Sequence, residues 1–474
     1  MNKLKLFIEN FFVYGFGGII SKIIPLIMVP IVTRLMPSSD YYGLSDLSNT
    51  VVSFASALAV MGMYDAMYRM FFENDDEGYK KSICSTALFF TLSTSIIVFS
   101  AMILLKEQIA QWFFSDKRYA YIVYISAMAT LVGATNSIVS APTRMQNKRK
   151  IFLITNTVSP LISYAISIPM LLAGYYTIAL PLAAVISGLT MEITFSILNH
   201  SWFDPKKIDF SLLRQLLVIA IPLLPNFLIY WIFNSCDKVM ITNMIGIGAA
   251  GIYSVGSKLG HASQLIYTAF AGGWQYFAFS TMKEENQVKN NSMVFEYLGV
   301  ISFVATAFVC VFAYPLFNVF FTEQYLSGYI VAPYLFLAPL LQMLFQVACN
   351  QFIVVKKTWP NMFILSIGAI ANIGINYFLI PVLGIEGASL ATLIGYIVSD
   401  VVCVIVLCKM KLMVVEKRFA FVTIGVIIFF VLWRFFIPSN IVLGLGVAIL
   451  FCTYCMVLYR TEVRKLISLI QISK

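Results

Sequence analysis

Charged residues are scarce in this sequence. Only 11% of its 474 residues are Asp, Glu, Lys or Arg, whereas 60% are hydrophobic. Soluble globular proteins carry roughly a quarter of their residues as charged side chains, so this composition excludes a soluble fold. The sequence therefore predicts a polytopic membrane protein. Because a charge inside hydrocarbon is costly, each ionisable residue within an apolar segment becomes a candidate for function.

Motifs of enzymes and of ATP-driven transporters are also missing. The sequence has no glycine-rich phosphate loop followed by Lys-Ser/Thr, no HExxH pattern and no extramembrane segment long enough to bind ATP. We therefore predict neither an enzyme nor a cofactor, and transport has to use an ion gradient, the membrane potential or downstream consumption. The eight cysteines lie almost entirely in apolar segments, which argues against a disulfide framework or a zinc site.

Apolar windows of about 20 residues, the length that crosses a bilayer, divide the chain. They are too long and continuous for membrane strands and predict an all-α fold of about fourteen transmembrane helices. The windows are 11–33, 44–68, 82–105, 119–141, 151–173, 176–199, 213–236, 248–278, 294–321, 329–355, 359–382, 385–408, 419–437 and 440–459.

The basic residues indicate the topology. About three quarters of the 32 Lys and Arg fall near the N terminus, in alternate gaps between helices and in the C-terminal tail, and the positive-inside rule places these segments in the cytoplasm. An even number of helices puts both termini on that side. This bias also explains most of the net charge of +10, so no nucleic-acid partner is needed.

The two halves of the chain partly match when one is shifted by 208 residues. The matches that carry weight involve charged or glycine residues: Gly43 with Gly251, Lys148-Arg149 with Lys356-Lys357, and Glu192 with Asp400. A constant offset predicts a duplicated six-helix unit, inserted as two parallel repeats. We expect an N-terminal lobe over 1–210, a C-terminal lobe over 211–410, and two further helices with a cytoplasmic tail over 411–474.

Three segments resemble a known transporter family: Arg34–Gly43 (RLMPSSDYYG), Asp237-Lys238 with Ala250–Leu259 (AGIYSVGSKL), and Gly384–Leu393 (GIEGASLATL). They are similar to segments of the Wzx-type polysaccharide-biosynthesis flippases of the multidrug/oligosaccharidyl-lipid/polysaccharide exporter superfamily. The resemblance implies a V-shaped, two-lobe fold in the bacterial inner membrane. It also implies transfer of an undecaprenyl-pyrophosphate-linked oligosaccharide, such as an O-antigen unit for lipopolysaccharide, from the cytoplasmic to the periplasmic leaflet.

The candidate substrate site lies near the predicted midplane. At about 1.5 Å per residue, Lys22 of the first helix and Lys258 of the eighth both reach that depth, one in each predicted lobe. Given the resemblance, we expect these lysines to compensate the charge of the pyrophosphate. The other residues assigned to this site are His261, Arg34, Tyr230 and Asn234. An alternative interpretation is that the lysines pair with intramembrane carboxylates and only hold the lobes together.

Other intramembrane charges are candidates for a gate or for ion coupling. Asp237 and Lys238 lie near the predicted outer end of the seventh helix, at the depth of Asp46, and form either a periplasmic gate or a static ion pair. Glu192 and Asp400 occupy equivalent positions nearer the cytoplasm and are inner-gate or cation-coupling residues, or pair locally. Glu296 and Arg434 are close enough to predicted helix ends for snorkelling to be expected.

Two other transport functions fit the same fold. A multidrug or cation antiporter should have acidic cavity walls, whereas the predicted midplane residues are two lysines and a histidine. A lipid II flippase relies on several cavity arginines, and no Arg lies at the predicted midplane of the first eight helices. For an oligosaccharide flippase, the expected partners are membrane lipids and the lipid-linked substrate. A polysaccharide polymerase, a chain-length regulator, and H⁺ or Na⁺ as coupling ion are further candidates.

Overall fold

The computed structural model describes residues 23–474, except 269, 271–273, 275–277, 279–280, 283, 358, 437–439, 463 and 465–474. Over these residues the secondary structure is helical and no strand is present. Eleven helical segments are long and apolar enough to cross a membrane, and one bent pair adds a twelfth. The prediction of an all-α, multi-pass membrane protein is confirmed.

The helices of the first half begin with one that is short and apolar. Their bounds are α1 Ile23–Leu35, α2 Ser39–Val60, α3 Met63–Phe71, α4 Glu77–Leu104, α5 Lys106–Phe114, α6 Ala120–Met145, α7 Arg149–Leu172 and α8 Ala179–Leu198. The next span, 210–244, consists of three α-helices joined by a short 3₁₀ and a π segment. It comprises α9 Phe210–Ala220, α10 Leu224–Trp231 and α11 Asp237–Met244.

The second half continues with seven longer helices. Their bounds are α12 Ile247–Gly260, α13 Gln287–Phe320, α14 Val331–Val354, α15 Trp359–Leu383, α16 Ile385–Lys409, α17 Lys417–Phe436 and α18 Ile441–Leu458. Twelve of the fourteen predicted windows coincide with the twelve spans. The first and eighth windows extend into residues outside those described, so the count of fourteen stays a prediction.

Three local features differ from the predicted windows. The second window is broken at 61–62, where α2 and α3 meet at an angle of 47°. The ninth starts earlier, at Gln287, and the amphipathic helix α5 occupies a predicted gap. At the break, Gly62 has a φ of +76°, and a Cβ there would lie 2.7 Å from the carbonyl oxygen of Ala220. Glycine therefore permits both the bend and the close approach.

Contacts between Cα atoms divide the chain into two compact units. The first consists of Met1–Ser254 with Asn376–Ile385. Its described part contains three apolar clusters. The two larger ones join α3, α4, α6 and α9 around Met67 and Ile138, and α2, α4, α5 and α6 around Leu47 and Ile122. These clusters position α2 and α6, which carry the polar residues considered below.

The second unit consists of Val255–Ile375 with Glu386–Lys474, and α14 lies at its centre. α14 belongs to the span Glu323–Val354, and 83% of the apolar 18-residue window of this span is buried inside the protein. The corresponding buried share is 22% for α17 and also for α18. Aromatic rings attach α17 to this centre, since Tyr334 stacks on Phe430 at 5.3 Å and meets Trp433 edge-on at 5.9 Å. The predicted boundary between the N-terminal and C-terminal lobes, at residues 210 and 211, stays a prediction.

Two charged residues of the second unit do not snorkel as expected. Arg434 donates to both carboxylate oxygens of Glu386, at 2.6 and 2.9 Å, and so links α17 to the start of α16. Glu296 is only 2% exposed and accepts hydrogen bonds from the Glu416 amide at 2.7 Å and from the Tyr459 hydroxyl at 3.2 Å. The expectation was wrong because α13 begins earlier than predicted and because buried partners are available for both side chains.

Candidate functional site

A buried ion pair joins Asp46 of α2 to Lys238 of α11 within the first unit. The Lys238 ammonium lies 2.5 Å from Asp46 Oδ2, and the two side chains are 13% and 4% exposed. The same carboxylate oxygen accepts a hydrogen bond from Ser254 Oγ of α12 at 2.8 Å. Asp46 therefore binds one helix through a charge and another through a hydroxyl.

The carboxylate of Asp237 is bound separately, one residue before Lys238. Its Oδ2 accepts a hydrogen bond from the Tyr253 hydroxyl at 2.6 Å, and its Oδ1 accepts one from Asn376 Nδ2 of α15 at 2.7 Å. Asp237 and Tyr253 are 2% exposed and Asn376 is fully buried. Two good donors thus compensate much of the cost of burying this carboxylate.

Adjacent residues on two helices make these two sets of contacts. On α11, Asp237 and Lys238 contact different neighbours, and on α12 the same holds for Tyr253 and Ser254. Neighbouring helix residues point in different directions, so each pair reaches two partners. We call the six residues that form these contacts the polar network: Asp46, Asp237, Lys238, Tyr253, Ser254 and Asn376.

The helix before the polar network is irregular. A π segment, Ile232–Cys236, lies between α10 and α11 and ends immediately before Asp237. π turns are rare in proteins, and those that do occur are often found at functional sites. The 3₁₀ segment Ile221–Leu223, which contains Pro222, interrupts the same span further upstream. Regular helical hydrogen bonding is therefore interrupted twice along the span that carries Asp237 and Lys238.

Close packing of α2 on α12 sets the geometry of the Asp46–Ser254 hydrogen bond. A Cβ on Gly251 would overlap the carbonyl oxygen of Ser39, and a Cβ on Gly43 would overlap that of Ile247. Only glycine at both positions allows the two backbones to come this close. Asp46 and Ser254 lie three residues further along these helices, about one turn, and meet for that reason.

The residues predicted for the substrate site are found in several places. Lys258 is exposed on α12, four residues after Ser254, and His261 is half-buried in the 3₁₀ segment that follows. Arg34 is exposed near the end of α1. Asn234 is exposed in the π segment and donates to the backbone oxygen of Tyr230 at 2.7 Å. Lys22 lies outside the described residues.

The carboxylates predicted near the cytoplasm have different surroundings. Glu192 is half-buried, and its Oε2 atom has no hydrogen-bond partner among the described residues. Asp400 is 8% exposed, and neither of its carboxylate oxygens has a partner in the described part of the chain. It lines an apolar cavity of about 410 Å³ in the second unit, together with Phe295, Phe419 and Thr423. This isolated carboxyl contrasts with Asp237.

The structure brings together three of the predicted residues, Asp46, Asp237 and Lys238, and adds three that sequence reasoning did not assign to a site, Tyr253, Ser254 and Asn376. Tyr253 and Asn376 each donate to Asp237. The sequence offered little indication of these two residues, because Tyr and Asn within apolar spans are common at helix interfaces and near the bilayer surface. The contacts of the polar network can hold α2, α11, α12 and α15 together. Its carboxylates and its ammonium group are the side chains that would have to be hydrated or neutralised if the contacts opened.

Comparison with solved structures shows the fold. The lipid II flippase MurJ in an inward closed conformation superposes with a TM-score of 0.72 and 15% identity, covering 94% of this chain and 99% of MurJ. An inward-facing multidrug resistance MATE family transporter of the MOP superfamily gives 0.62 at 12% identity, covering 83% and 98%. A crystal structure of MATE in the straight conformation gives 0.59 at 12% identity, covering 86% and 95%.

Sequence comparison gives the family. No curated protein sequence matches the chain at a significant level. The family described as "Polysaccharide biosynthesis protein" matches residues 31–329, which is more than half of the chain and includes α2 to α12. The chain therefore belongs to the polysaccharide biosynthesis protein family, and it has the fold of MurJ and of the MATE transporters.

Proposed function

We propose that this protein moves an undecaprenyl-pyrophosphate-linked oligosaccharide across the bacterial inner membrane. The direction is from the cytoplasmic to the periplasmic leaflet, by alternating access, with both termini in the cytoplasm. The observation that carries this proposal is the Asp46–Lys238 ion pair, which joins helices from the two halves of the sequence and is 2.5 Å long and buried. Ionisable residues inside a membrane are costly, and they mark substrate or ion pathways.

The substrate's pyrophosphate is anionic, so its site needs cations away from bulk water. We assign this role to Lys22 and Lys258, with Arg34 and His261 as further cations. Tyr230 and Asn234 offer the aromatic and amide groups that a sugar requires. The exposure of Lys258, in a helix whose preceding turns are buried, supports the assignment because a ligand can reach its ammonium group.

The polar network is proposed to be the gate. Closing it satisfies one ammonium and two carboxylates with short contacts, and opening it has to hydrate or neutralise the same groups. A proton or sodium ion that binds a released carboxylate would then couple the ion gradient to opening. Glu192 and Asp400 are proposed to act similarly nearer the cytoplasm, and Asp400 fits this role because its oxygens lack partners among the described residues.

The test is leaflet accessibility of undecaprenyl-pyrophosphate-oligosaccharide in proteoliposomes under imposed proton or sodium gradients. Lys258→Ala should lower protein-dependent transfer by about ten-fold or more, the loss expected for one charge-assisted contact. Lys289→Ala, which removes an exposed lysine elsewhere in the second unit, is the matched control. Co-reconstituted polysaccharide polymerase and chain-length regulator would show whether consumption of the product drives the cycle.

The outcomes separate the alternatives. Transfer unaffected by Lys258→Ala would retain the function and reject the site. If there is no transfer of the oligosaccharide but lipid II moves, the protein is a lipid II flippase. Uptake of organic cations without lipid transfer would make it an antiporter; one structural neighbour is named as a multidrug resistance MATE family transporter.

A further inference from the structure

A second cavity lies within the first unit and is not part of the polar network. Its volume is about 400 Å³, and its walls come from α3, α6, α7 and α8. Hydroxyl or amide side chains supply most of the lining, in contrast to the apolar cavity around Asp400. This size is within the range of small-molecule sites, and a polar cavity between helices of a membrane protein requires a polar occupant.

Two hydroxyl groups of this cavity, those of Thr155 and Ser137, have already used their hydrogens. Thr155 Oγ1 donates to the Ile151 carbonyl at 2.9 Å, and Ser137 Oγ donates to the Ala134 carbonyl at 2.7 Å. Such bonds to the preceding helical turn leave the lone pairs of each hydroxyl oxygen available. Asn156 likewise donates its amide to Phe152, at 3.0 Å, and keeps its side-chain oxygen. The walls therefore present hydrogen-bond acceptors.

A buried acceptor without a partner lies in the same wall. Asn136 lines the cavity, and its Oδ1 atom is buried with no hydrogen-bond partner among the residues described. Leaving a buried acceptor unsatisfied destabilises the protein. A ligand with several hydroxyl donors would satisfy it together with the hydroxyl oxygens of the neighbouring turns.

Arg144 supplies the cavity's charge. Its Nη1 donates to the Tyr64 hydroxyl at 3.0 Å, and its guanidinium lies over the Phe152 ring, 5.4 Å from the centroid. A guanidinium has five N–H donors, so these two contacts leave donors for an anion. Arg144 begins the basic run that continues through Lys148, Arg149 and Lys150, on the side predicted to be cytoplasmic.

We propose that this cavity binds an anionic sugar, with its phosphate or carboxylate on Arg144 and its hydroxyls donating to the walls. This inference rests on the proposed function, for which it supplies a recognition site on the side where the lipid-linked sugar is made. The same chemistry is present in a soluble sugar phosphate. Binding and translocation are therefore measured separately.

The binding test uses the purified full chain in nanodiscs, titrated with glucose 1-phosphate and with uncharged methyl glucoside. Arg144→Gln should weaken glucose 1-phosphate binding about ten-fold, as expected for a lost charge-assisted contact, and leave methyl glucoside unchanged. Arg149→Gln removes a neighbouring cation of the same run that does not line the cavity. It should leave both affinities within about two-fold, because this half-buried cation lies outside the cavity.

A second pair of variants keeps the test valid if Arg144→Gln does not fold. Thr155 and Thr157 both donate to the carbonyl four residues earlier in α7, each at 2.9 Å, but only Thr155 lines the cavity. Thr155→Val should weaken binding of both sugars, and Thr157→Val should weaken neither. Equal affinities for wild type and Arg144→Gln, equal losses in the two members of either pair, or no binding by the wild type would overturn the proposal.

Competition identifies the source of the sugar. If free glucose 1-phosphate inhibits transfer of the lipid-linked oligosaccharide in proteoliposomes, and Arg144→Gln removes the inhibition, the cavity belongs to the transported substrate. Binding with no inhibition assigns the cavity to a soluble sugar phosphate. Because binding is measured without translocation, failure of the flippase assignment leaves this result intact, and loss of the site leaves the flippase assignment intact.

Discussion

Asp46 and Ser254 are 208 residues apart in the sequence, and their side chains form a hydrogen bond of 2.8 Å. The same offset separates Gly43 from Gly251, where the backbones of α2 and α12 come into close contact. When two copies of a unit are related by a two-fold axis, residues near that axis meet their own equivalents. These contacts follow the 208-residue offset seen in the sequence, and the duplication itself stays a prediction.

The first prediction concerns the stability of the ion pair. Lys238→Met removes the ammonium group that pairs with the buried Asp46 carboxylate, so unfolding should become easier by about 3–5 kcal/mol. Lys81→Met breaks an i,i+4 pair with Glu77 whose carboxylate is 71% exposed, and should cost at most about 1 kcal/mol. Thermal and denaturant unfolding in detergent measure both. If the two variants lost similar amounts of stability, the buried pair would contribute no more to stability than the exposed one.

The second prediction distinguishes a gate from a static ion pair. The double variant Asp46→Asn/Lys238→Met removes both charges of the pair, so most of the stability lost in Lys238→Met should return. If the pair is a gate, leaflet transfer by this variant becomes less dependent on the imposed ion gradient. Transfer with wild-type gradient dependence, in a variant of restored stability, would assign the pair to packing alone.

The third prediction compares two buried carboxyl groups. Asp400 lacks hydrogen-bond partners among the described residues and faces an apolar cavity, so Asp400→Leu should stabilise the protein by about 1–3 kcal/mol. Asp237→Leu should destabilise it, because Tyr253 and Asn376 lose their acceptor. Unfolding midpoints measure both. If Asp400 couples ions, the stabilised variant also loses gradient-driven transfer, whereas loss of stability on Asp400→Leu would contradict the isolation of this carboxyl.

The fourth prediction concerns the contact between α2 and α12. Gly251→Ala places a methyl group on the Ser39 carbonyl oxygen and should separate the helices, lowering both stability and transfer. Gly133→Ala lies within α6 with nothing within 4 Å of its added Cβ, and should be neutral or stabilise by about 0.5–1 kcal/mol. Equal effects on the unfolding midpoint would show that helix propensity, rather than the close approach, governs position 251.

The helices could be predicted from the sequence because hydropathy is a local property. The pairing of charges could not, because it depends on which helices pack together. Arg434 illustrates the difference: its distance from a helix end suggested snorkelling, and only the packing of α17 on α16 shows that Glu386 is its partner. The break at Gly62 was missed for a related reason, since a left-handed turn interrupts the helix without interrupting the apolar run.

The charged residues of the polar network could be predicted from the sequence, whereas its neutral residues could not. A lone Asp or Lys in an apolar span is conspicuous, whereas Tyr253 and Asn376 resemble many other residues of membrane helices. Their importance arises from the buried Asp237 carboxylate, which needs donors. A search for neutral donors near each buried carboxylate would have found both once helix neighbours were known.

The π segment Ile232–Cys236 changes the direction in which the side chains after it point, relative to those before it in the span 210–244. A π turn contains about one residue more than an α turn, and one residue corresponds to a rotation of about 100° around the helix axis. Removing that residue, or converting the π turn to a regular α turn, would rotate Asp237 and Lys238 together, away from Tyr253 and Asp46. A small rearrangement within one helical turn would thus disconnect both sets of contacts at the same time, without moving either partner helix.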